Sequence, residues 1–307
     1  ENTARDQAIK KRMQGKRMPQ VDQVEISIIE EEQSRWLAFL DQQIDLDKLP
    51  QSAAPSVLEG TQLKADYLRQ NIGMYRVADA GNTFTFFNMR DPIIGGYSKE
   101  KIALRRAIAM AYNQADDIAQ MRMGQAIKAE MMIPPELGGY DSHYRSSISY
   151  DIALANKLLD YYGYKRGDDG YRTLPDGNPL VLYKTVEPAA IYKIQSEIFK
   201  RGLDKIGIRI EFPVSNFADN MKAATACQLM MWSTAWNADI PDGENFLQLL
   251  YGPKSGQGNY ACYQSPRYDQ LFQRALSLPP GAERYALYQQ MNRIMEADTP
   301  WIMHVVR

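Results

Sequence analysis

A helix, a glycine and a strand follow one another in residues 191–212, and this succession constrains the fold more than any other part of the chain. Apolar residues recur at helical spacing at Ile191, Ile194, Ile198 and Leu203, and the pattern is broken at Gly207. Apolar and polar residues then alternate over residues 208–212, as in a strand. A helix that ends at glycine and is followed by a strand is typical of an α/β layer. We therefore expect a mixed α/β fold with helices covering a sheet.

The rest of the chain alternates in the same way. Strands are predicted around Val24, Ile26 and Ile28, over residues 180–185 and over residues 228–235, and residues 73–89 contain either a strand pair or one long strand. Helices are predicted over residues 33–43, near Leu63 to Leu68, over residues 98–112 and 149–162, from Asn216, and over residues 265–276 and 282–297. These elements contain enough apolar residues for one large core or two modest ones.

The charge balance excludes some classes of function. Thirty-six Lys and Arg residues face 37 Asp and Glu residues, a net charge of -1 over 307 residues. Such a balance argues against a nucleic-acid surface or a polybasic membrane anchor. No apolar run approaches the roughly 20 residues that span a bilayer. The composition is typical of a soluble globular protein.

The run over residues 230–268 is the best candidate for a ligand-binding region. An apolar, strand-like segment is followed by Trp236, Asp239 and a polar loop rich in glycine. Aromatic rings supply contact area, and a carboxylate held among them binds a cationic group through a charge-assisted hydrogen bond. The alternative is a core strand followed by an ordinary loop.

Catalytic, cofactor and metal motifs are absent from the sequence. Neither histidine lies in a nucleophile motif, and residues 252–256 lack the pattern of a phosphate-binding loop. The competing functional class is a hydrolase built on an α/β core that uses Asp239 and Asp242 as an acid/base pair. Cys227 and Cys262 lack ligand spacing with the histidines, and we expect two separate thiols rather than a disulfide.

Several motifs resemble those of one known family. The segment W-x-A-D-x-x-D-x-x-N-F-L at residues 236–247, followed by N-Y at 259–260 and S-P-x-Y-D at 265–269, resembles the family 5 extracellular solute-binding proteins of bacterial ABC importers. Similar matches occur at residues 16–24, 87–92, 104–114, 150–164 and 283–302. Their order and spacing extend the resemblance along nearly the whole chain.

The resemblance implies an organisation and a function. It implies a lobe of the type II periplasmic-binding-protein class, with a mixed sheet flanked by helices, and part of a second lobe. Residues 1–85 are expected to be the returning part of lobe I, whose N-terminal portion is absent, and residues 86–307 to be lobe II. The chain is thus expected to be a C-terminal fragment, and its lack of a signal pattern at Glu1 says nothing about the compartment.

The family also implies partners and a location. We expect a peptide or peptide-like solute as ligand, ABC permease subunits as partner, a monomeric state, and a periplasmic or membrane-anchored extracellular location. A sensor or chaperone-like relative without import coupling is the alternative within the same fold. Family members also bind nickel complexes, sugars and opines, so the resemblance leaves the ligand class open.

Six residues are carried over as candidate ligand contacts. Asp239 matches the family aspartate that meets the ligand's α-amino group, with a turn-capping aspartate as the alternative. Trp236 matches a pocket ring, and residues 233–235 match a backbone that pairs with an extended peptide. The remaining pocket walls implied by the family are Phe84, Phe217 and Tyr260. Ser233 stands where some peptide binders carry a basic residue for the peptide carboxylate, and residues 242–244 depart from the usual D-P-D.

Overall fold

The computed structural model describes residues 4–307. The chain divides into two units, and the boundary lies between Ala54 and Pro55. The α-helices are α1 (Ala4–Met13), α2 (Glu32–Leu40), α3 (Ala54–Val57), α4 (Ala65–Arg69), α5 (Lys99–Ala111), α6 (Gln114–Asp116), α7 (Ile152–Tyr161), α8 (Ala190–Ile206), α9 (Phe217–Thr225), α10 (Glu244–Leu247), α11 (Pro266–Leu276) and α12 (Ala282–Asp298). The strands are β1 (Leu58–Glu59), β2 (Gln62–Leu63), β3 (Gly81–Phe87), β4 (Ile127–Lys128), β5 (Val181–Thr185), β6 (Arg209–Glu211), β7 (Met231–Asn237) and β8 (Trp301–Val306).

The first unit contains α1 and the amphipathic helix α2. The Glu31 carboxylate caps α2 by accepting a hydrogen bond from the Ser34 backbone N–H. The predicted strand around Val24, Ile26 and Ile28 is wrong, because these residues belong to no strand and their side chains are 73%, 85% and 89% exposed. An alternating segment becomes a strand only when a neighbour satisfies its backbone, and no strand within residues 4–307 pairs with this one.

The second unit is built around a six-stranded sheet with the order β4-β8-β3-β7-β5-β6. Strand β3 is antiparallel to β7 and β8, whereas β5 is parallel to β6 and β7, so the sheet is mixed as predicted. All seven residues of β3 are buried, which is expected for a central strand covered on both faces. The predicted α/β class with a mixed sheet flanked by helices is confirmed.

Alternating residues of the strands enter two separate cores. Phe86 and Trp232 face a core that contains buried residues of α11 and α12. Phe87 and Met231 face a second core formed with α5, α7 and α8. Because side chains in a strand alternate between faces, the sheet lies between these two helical layers. Within residues 4–307, no helix is both long enough and apolar enough to cross a membrane.

Most helix boundaries follow local signals in the sequence. Asp151, Asn216 and Ser265 each accept a hydrogen bond from a backbone N–H in the first turn of α7, α9 and α11. Helix α8 ends where Gly207 adopts φ +72°, a left-handed conformation that glycine reaches without steric cost. The predictions for these helices are confirmed to within a few residues, whereas strand β8 was not predicted.

Candidate ligand-binding site

Strand β7 extends past the end of its neighbour β5. The last pair between them joins Thr185 to Trp232, yet β7 continues to Asn237. On its other side, β7 pairs with β3 along its whole length. Over residues 233–237 the edge that faces away from β3 therefore pairs with no strand of the described chain, and Ala235 and Asn237 are exposed. An uncovered strand edge offers backbone N–H and C=O groups to an extended ligand.

The buried side chain of Asn245 connects the two principal candidate residues at the end of this edge. Its Oδ1 atom accepts hydrogen bonds from the indole Nε1–H of Trp236 at 2.8 Å and from the backbone N–H of Asp239 at 3.2 Å. Its Nδ2 atom donates to Asp239 Oδ2 at 3.2 Å. Asn245 is 6% exposed, Trp236 is half-buried and Asp239 is exposed. The amide thus fixes an aromatic ring and a solvent-facing carboxylate beside each other.

The loop that carries Asp239 is anchored to α12. Asp242 Oδ1 accepts hydrogen bonds from the Tyr288 hydroxyl at 2.6 Å and from Arg284 Nη2 at 3.2 Å. Arg284 Nη2 also donates to Glu244 Oε2 at 2.7 Å. Burial, and after it the hydrogen bond to Asp242, raises the pKa of the Tyr288 hydroxyl above its ordinary value. Asp242 is therefore engaged in holding the loop.

Ser233 and Phe84, two of the predicted contacts, lie inside the molecule. The Ser233 hydroxyl is 2.6 Å from Thr85 Oγ1, which lies 3.0 Å from His304 Nε2. The Phe84 ring is 2% exposed and stacks on Trp301 at 3.8 Å between centroids. Both side chains are buried, and their proposed contact with ligand stays a prediction.

Phe217 and Tyr260, the other two predicted walls, lie nearer the surface. Phe217 opens α9, is 57% exposed, and has its ring centroid 5.8 Å from that of Trp232. Tyr260 is half-buried, with its ring 6.3 Å from Phe86, and burial raises the pKa of its hydroxyl. The structure therefore groups Trp236 with Asp239 and, separately, Phe217 with Trp232.

A chain of buried polar groups lies on the face of the sheet that α8 covers. Lys184 Nζ donates to Gln195 Oε1 at 3.0 Å, and Gln195 Nε2 lies 3.4 Å from His304 Nδ1. From His304 the chain continues to Thr85 and Ser233. Burial lowers the pKa of the Lys184 ammonium to about 7 and also lowers the pKa of His304. This chain links the interior to the strand that carries the candidate site.

A disulfide brackets the candidate site in sequence. Cys227, before β7, is bonded to Cys262, 35 residues later, with their Cα atoms 6.2 Å apart. The expectation of two separate thiols is therefore wrong. The two cysteines are far apart in sequence, and the sequence alone gave no sign that the fold brings them together. The bond closes a loop that contains β7, Trp236, Asp239 and Asn245.

The mixed sheet and the uncovered edge of β7 define a candidate ligand-binding protein, and comparison with known proteins identifies its family. The model of the bacterial extracellular solute-binding proteins, family 5, matches residues 7–258. The chain belongs to this family.

Individual relatives share less than a third of their aligned residues with this chain. The chain is 28% identical over 207 residues to di/tripeptide-binding protein 2 of Pseudomonas aeruginosa, a match that covers 65% of the chain and 36% of that protein. It is 26% identical over 204 residues to heme-binding protein A of Haemophilus influenzae, covering 66% and 36% respectively. The matched part of the chain thus spans about a third of the length of these curated relatives.

A solved structure of similar fold is the oligopeptide-binding protein AppA of Bacillus subtilis, in complex with a nonapeptide. Its TM-score is 0.73 at 15% identity, and the comparison covers 91% of this chain and 53% of AppA. At this level of identity the similarity establishes the fold, that of the type II periplasmic binding proteins.

Asn245 was not among the predicted site residues, although it lies within the W-x-A-D-x-x-D-x-x-N-F-L segment at residues 236–247.

Proposed function

We propose that this chain is part of the substrate-binding component of an ABC importer, which captures peptide-like solutes and delivers them to a membrane permease. Membership of the solute-binding family supports the class of function. The names of relatives support the ligand class, because one binds di- and tripeptides and the similar structure of AppA holds a nonapeptide. The corresponding location is the periplasm, or the cell exterior for a membrane-anchored lipoprotein.

One observation carries the peptide assignment. The uncovered edge of β7 over residues 233–237 leads directly to the Trp236 and Asp239 pair that Asn245 holds. An extended peptide laid along this edge satisfies its backbone through strand-like hydrogen bonds, which tolerate varied side chains. Its α-amino group then meets a preoriented carboxylate, and charge-assisted hydrogen bonds are among the strongest available.

The remaining roles follow from position. We assign Asp239 to the ligand's α-amino group, Trp236 to the main apolar wall, and Phe217 and Tyr260 to outer walls, since these rings are accessible or half-buried. Ser233 and Phe84 remain candidate contacts that reach ligand only after local movement, because both are buried.

Two lobes are proposed to enclose the ligand. Residues 1–85 would belong to lobe I and residues 86–307 to lobe II, with the chain crossing over at the strand that carries Phe86. Enclosure between lobes removes water and strengthens polar contacts with the ligand. We expect the complete protein to act as a monomer.

Binding without turnover is favoured over hydrolysis. A hydrolase that uses paired carboxylates needs both groups free to act on the substrate. Asp242 instead accepts hydrogen bonds from Tyr288, Arg284 and the Glu244 backbone N–H, which commits it to the loop. The named relatives are binding proteins as well.

Native mass spectrometry of the full-length protein, purified without refolding, tests this function. We expect peptides to remain bound to the protein during purification. Sequencing of the released ligand should show that these peptides have not been cleaved. Heme, a sugar or a metal complex as the retained ligand would refute the peptide assignment. Cleavage of an added peptide by the unmodified protein but not by the Asp239→Asn variant would favour a hydrolase function.

A further inference from the structure

A second carboxylate, that of Glu187, lies just beyond the end of β5. The parallel register places Lys184 opposite Met231 and Thr185 opposite Trp232. The chain stays extended at Val186, whose backbone N–H donates to Pro213 and whose carbonyl accepts from Ser215. Continuing this register by two residues places Glu187 at the level of Thr234. Glu187 therefore stands beside the beginning of the uncovered edge of β7.

The Glu187 carboxylate is held by two donors on one of its oxygens. Oε1 accepts hydrogen bonds from the indole Nε1–H of Trp232 at 2.9 Å and from Asn220 Nδ2 at 3.2 Å. Asn220 is 1% exposed, whereas Glu187 is half-buried. Among residues 4–307, no Lys, Arg or His forms an ion pair with Glu187, and its described hydrogen bonds leave Oε2 unengaged. The charge of Glu187 partly offsets the burial that lowers the pKa of the Lys184 ammonium, but Lys184 donates its described hydrogen bond to Gln195 and not to Glu187. The fixed carboxylate can therefore still receive a cation from a ligand.

The surroundings of Glu187 also favour a cation. The exposed ring of Phe217 lies 5.8 Å from the ring of Trp232, which itself donates to Glu187. Aromatic faces attract a cationic head group and also accommodate the apolar stem of lysine or arginine. A ligand carboxylate at the same place would meet like charge, which disfavours it.

We propose that Glu187 is a specificity-determining residue that binds a cationic side chain of the ligand, at the opposite end of the β7 edge from Asp239. This inference rests on the proposed function. From the level of Thr234 to Asp239 is five residues, which span at most about 17 Å at the rise of an extended chain. A peptide whose α-amino group meets Asp239 brings a lysine side chain at its fourth position within reach of Glu187. The preferred ligand class is thus an extended peptide with a basic residue near its fourth position.

Calorimetry with two tetrapeptide amides on the full-length protein tests the proposal. Ala-Ala-Ala-Lys-amide is compared with Ala-Ala-Ala-norleucine-amide, which has a similar length without the charge. We expect the lysine peptide to bind about tenfold more tightly, because its ammonium group forms a charge-assisted hydrogen bond with the Glu187 carboxylate. Glu187→Gln should abolish this preference and leave affinity for the norleucine peptide within about twofold.

The matched control is Glu211→Gln, which neutralises an exposed carboxylate on the neighbouring strand β6 and should keep the preference. In the unmodified protein the preference should decrease as salt is raised, a readout that does not depend on the folding of any variant. Equal binding of both peptides, or a preference that survives Glu187→Gln, would overturn the proposed role of Glu187 but not the peptide assignment. Binding of neither peptide by the unmodified protein would overturn the peptide assignment and this inference with it.

Discussion

Asn245 and Asp239 are joined by two hydrogen bonds that run in opposite directions. The Asn245 amide donates to the Asp239 carboxylate and accepts from the Asp239 backbone N–H, each at 3.2 Å. The same amide oxygen accepts from Trp236 at 2.8 Å. A candidate binding residue on an exposed loop is thereby oriented before any ligand arrives, which lowers the entropic cost of binding.

Replacing Asn245 with alanine should damage both stability and binding. The change leaves the Trp236 indole N–H and the Asp239 backbone N–H without their acceptor, so the free energy of unfolding should fall by about 1–3 kcal/mol. Urea denaturation measures this loss, and calorimetry should show weaker peptide binding by the folded variant. Gln257→Ala, an exposed amide in the following loop, is the control and should change neither quantity. Unchanged peptide affinity in folded Asn245→Ala protein would show that the orientation of Asp239 is unimportant.

The Cys227–Cys262 disulfide should contribute substantially to stability. A bond across 35 residues restricts the unfolded chain, and we expect Cys227→Ser with Cys262→Ser to lower the free energy of unfolding by about 4 kcal/mol. Urea denaturation of the oxidised protein and of the double variant measures the difference. Thiol titration of the unfolded, unreduced protein should find no free thiol from this pair. Two titratable thiols in protein from an oxidising compartment would contradict the pairing.

Lys184 should make stability depend on pH. Burial holds the pKa of its ammonium at about 7 in the folded protein, whereas it is about 10.4 in an unfolded chain. Between these values the unfolded chain binds more protons, so stability should rise with pH, by at most about 1.4 kcal/mol per pH unit. Below pH 7 both states are protonated and the contribution no longer changes.

Lys184→Met should remove this dependence. Urea unfolding at pH 7.5 and pH 9.5 should show the unmodified protein gaining stability relative to the variant as the pH rises. The control is Lys193→Met, which removes an exposed ammonium from α8 and should leave the gain intact. Parallel pH profiles for Lys184→Met and the unmodified protein would mean that Lys184 stays charged in the folded protein.

Elements set by local signals were predictable from the sequence. Helix α8 combines helical apolar spacing with a glycine that adopts φ +72°, and α7 begins after Asp151, which caps its first turn. Because these signals lie within a few residues of one another, the helices were placed without knowledge of the tertiary structure. Strand β7 was likewise predicted, although it spans Met231–Asn237 rather than residues 228–235.

Features that depend on distant partners were not predictable. Val24, Ile26 and Ile28 alternate as a strand does, but no described strand pairs with them. The disulfide depends on where the sheet brings Cys227 and Cys262. The role of Asn245 depends on a loop folding back by six residues onto Asp239, and an amide in a motif does not reveal its hydrogen-bond partners.

Peptide affinity of the full-length Asp239→Asn protein, measured by calorimetry beside its stability without ligand, tests the central claim most directly. The asparagine oxygen can still accept the Asn245 hydrogen bond, so the melting temperature should barely change. The loss of the carboxylate should cost about 2–5 kcal/mol of affinity for an amine-bearing peptide, because the ligand's charge is then left without its partner. Unchanged affinity together with a destabilised ligand-free protein would show that Asp239 only caps a turn, and would contradict the proposed peptide site.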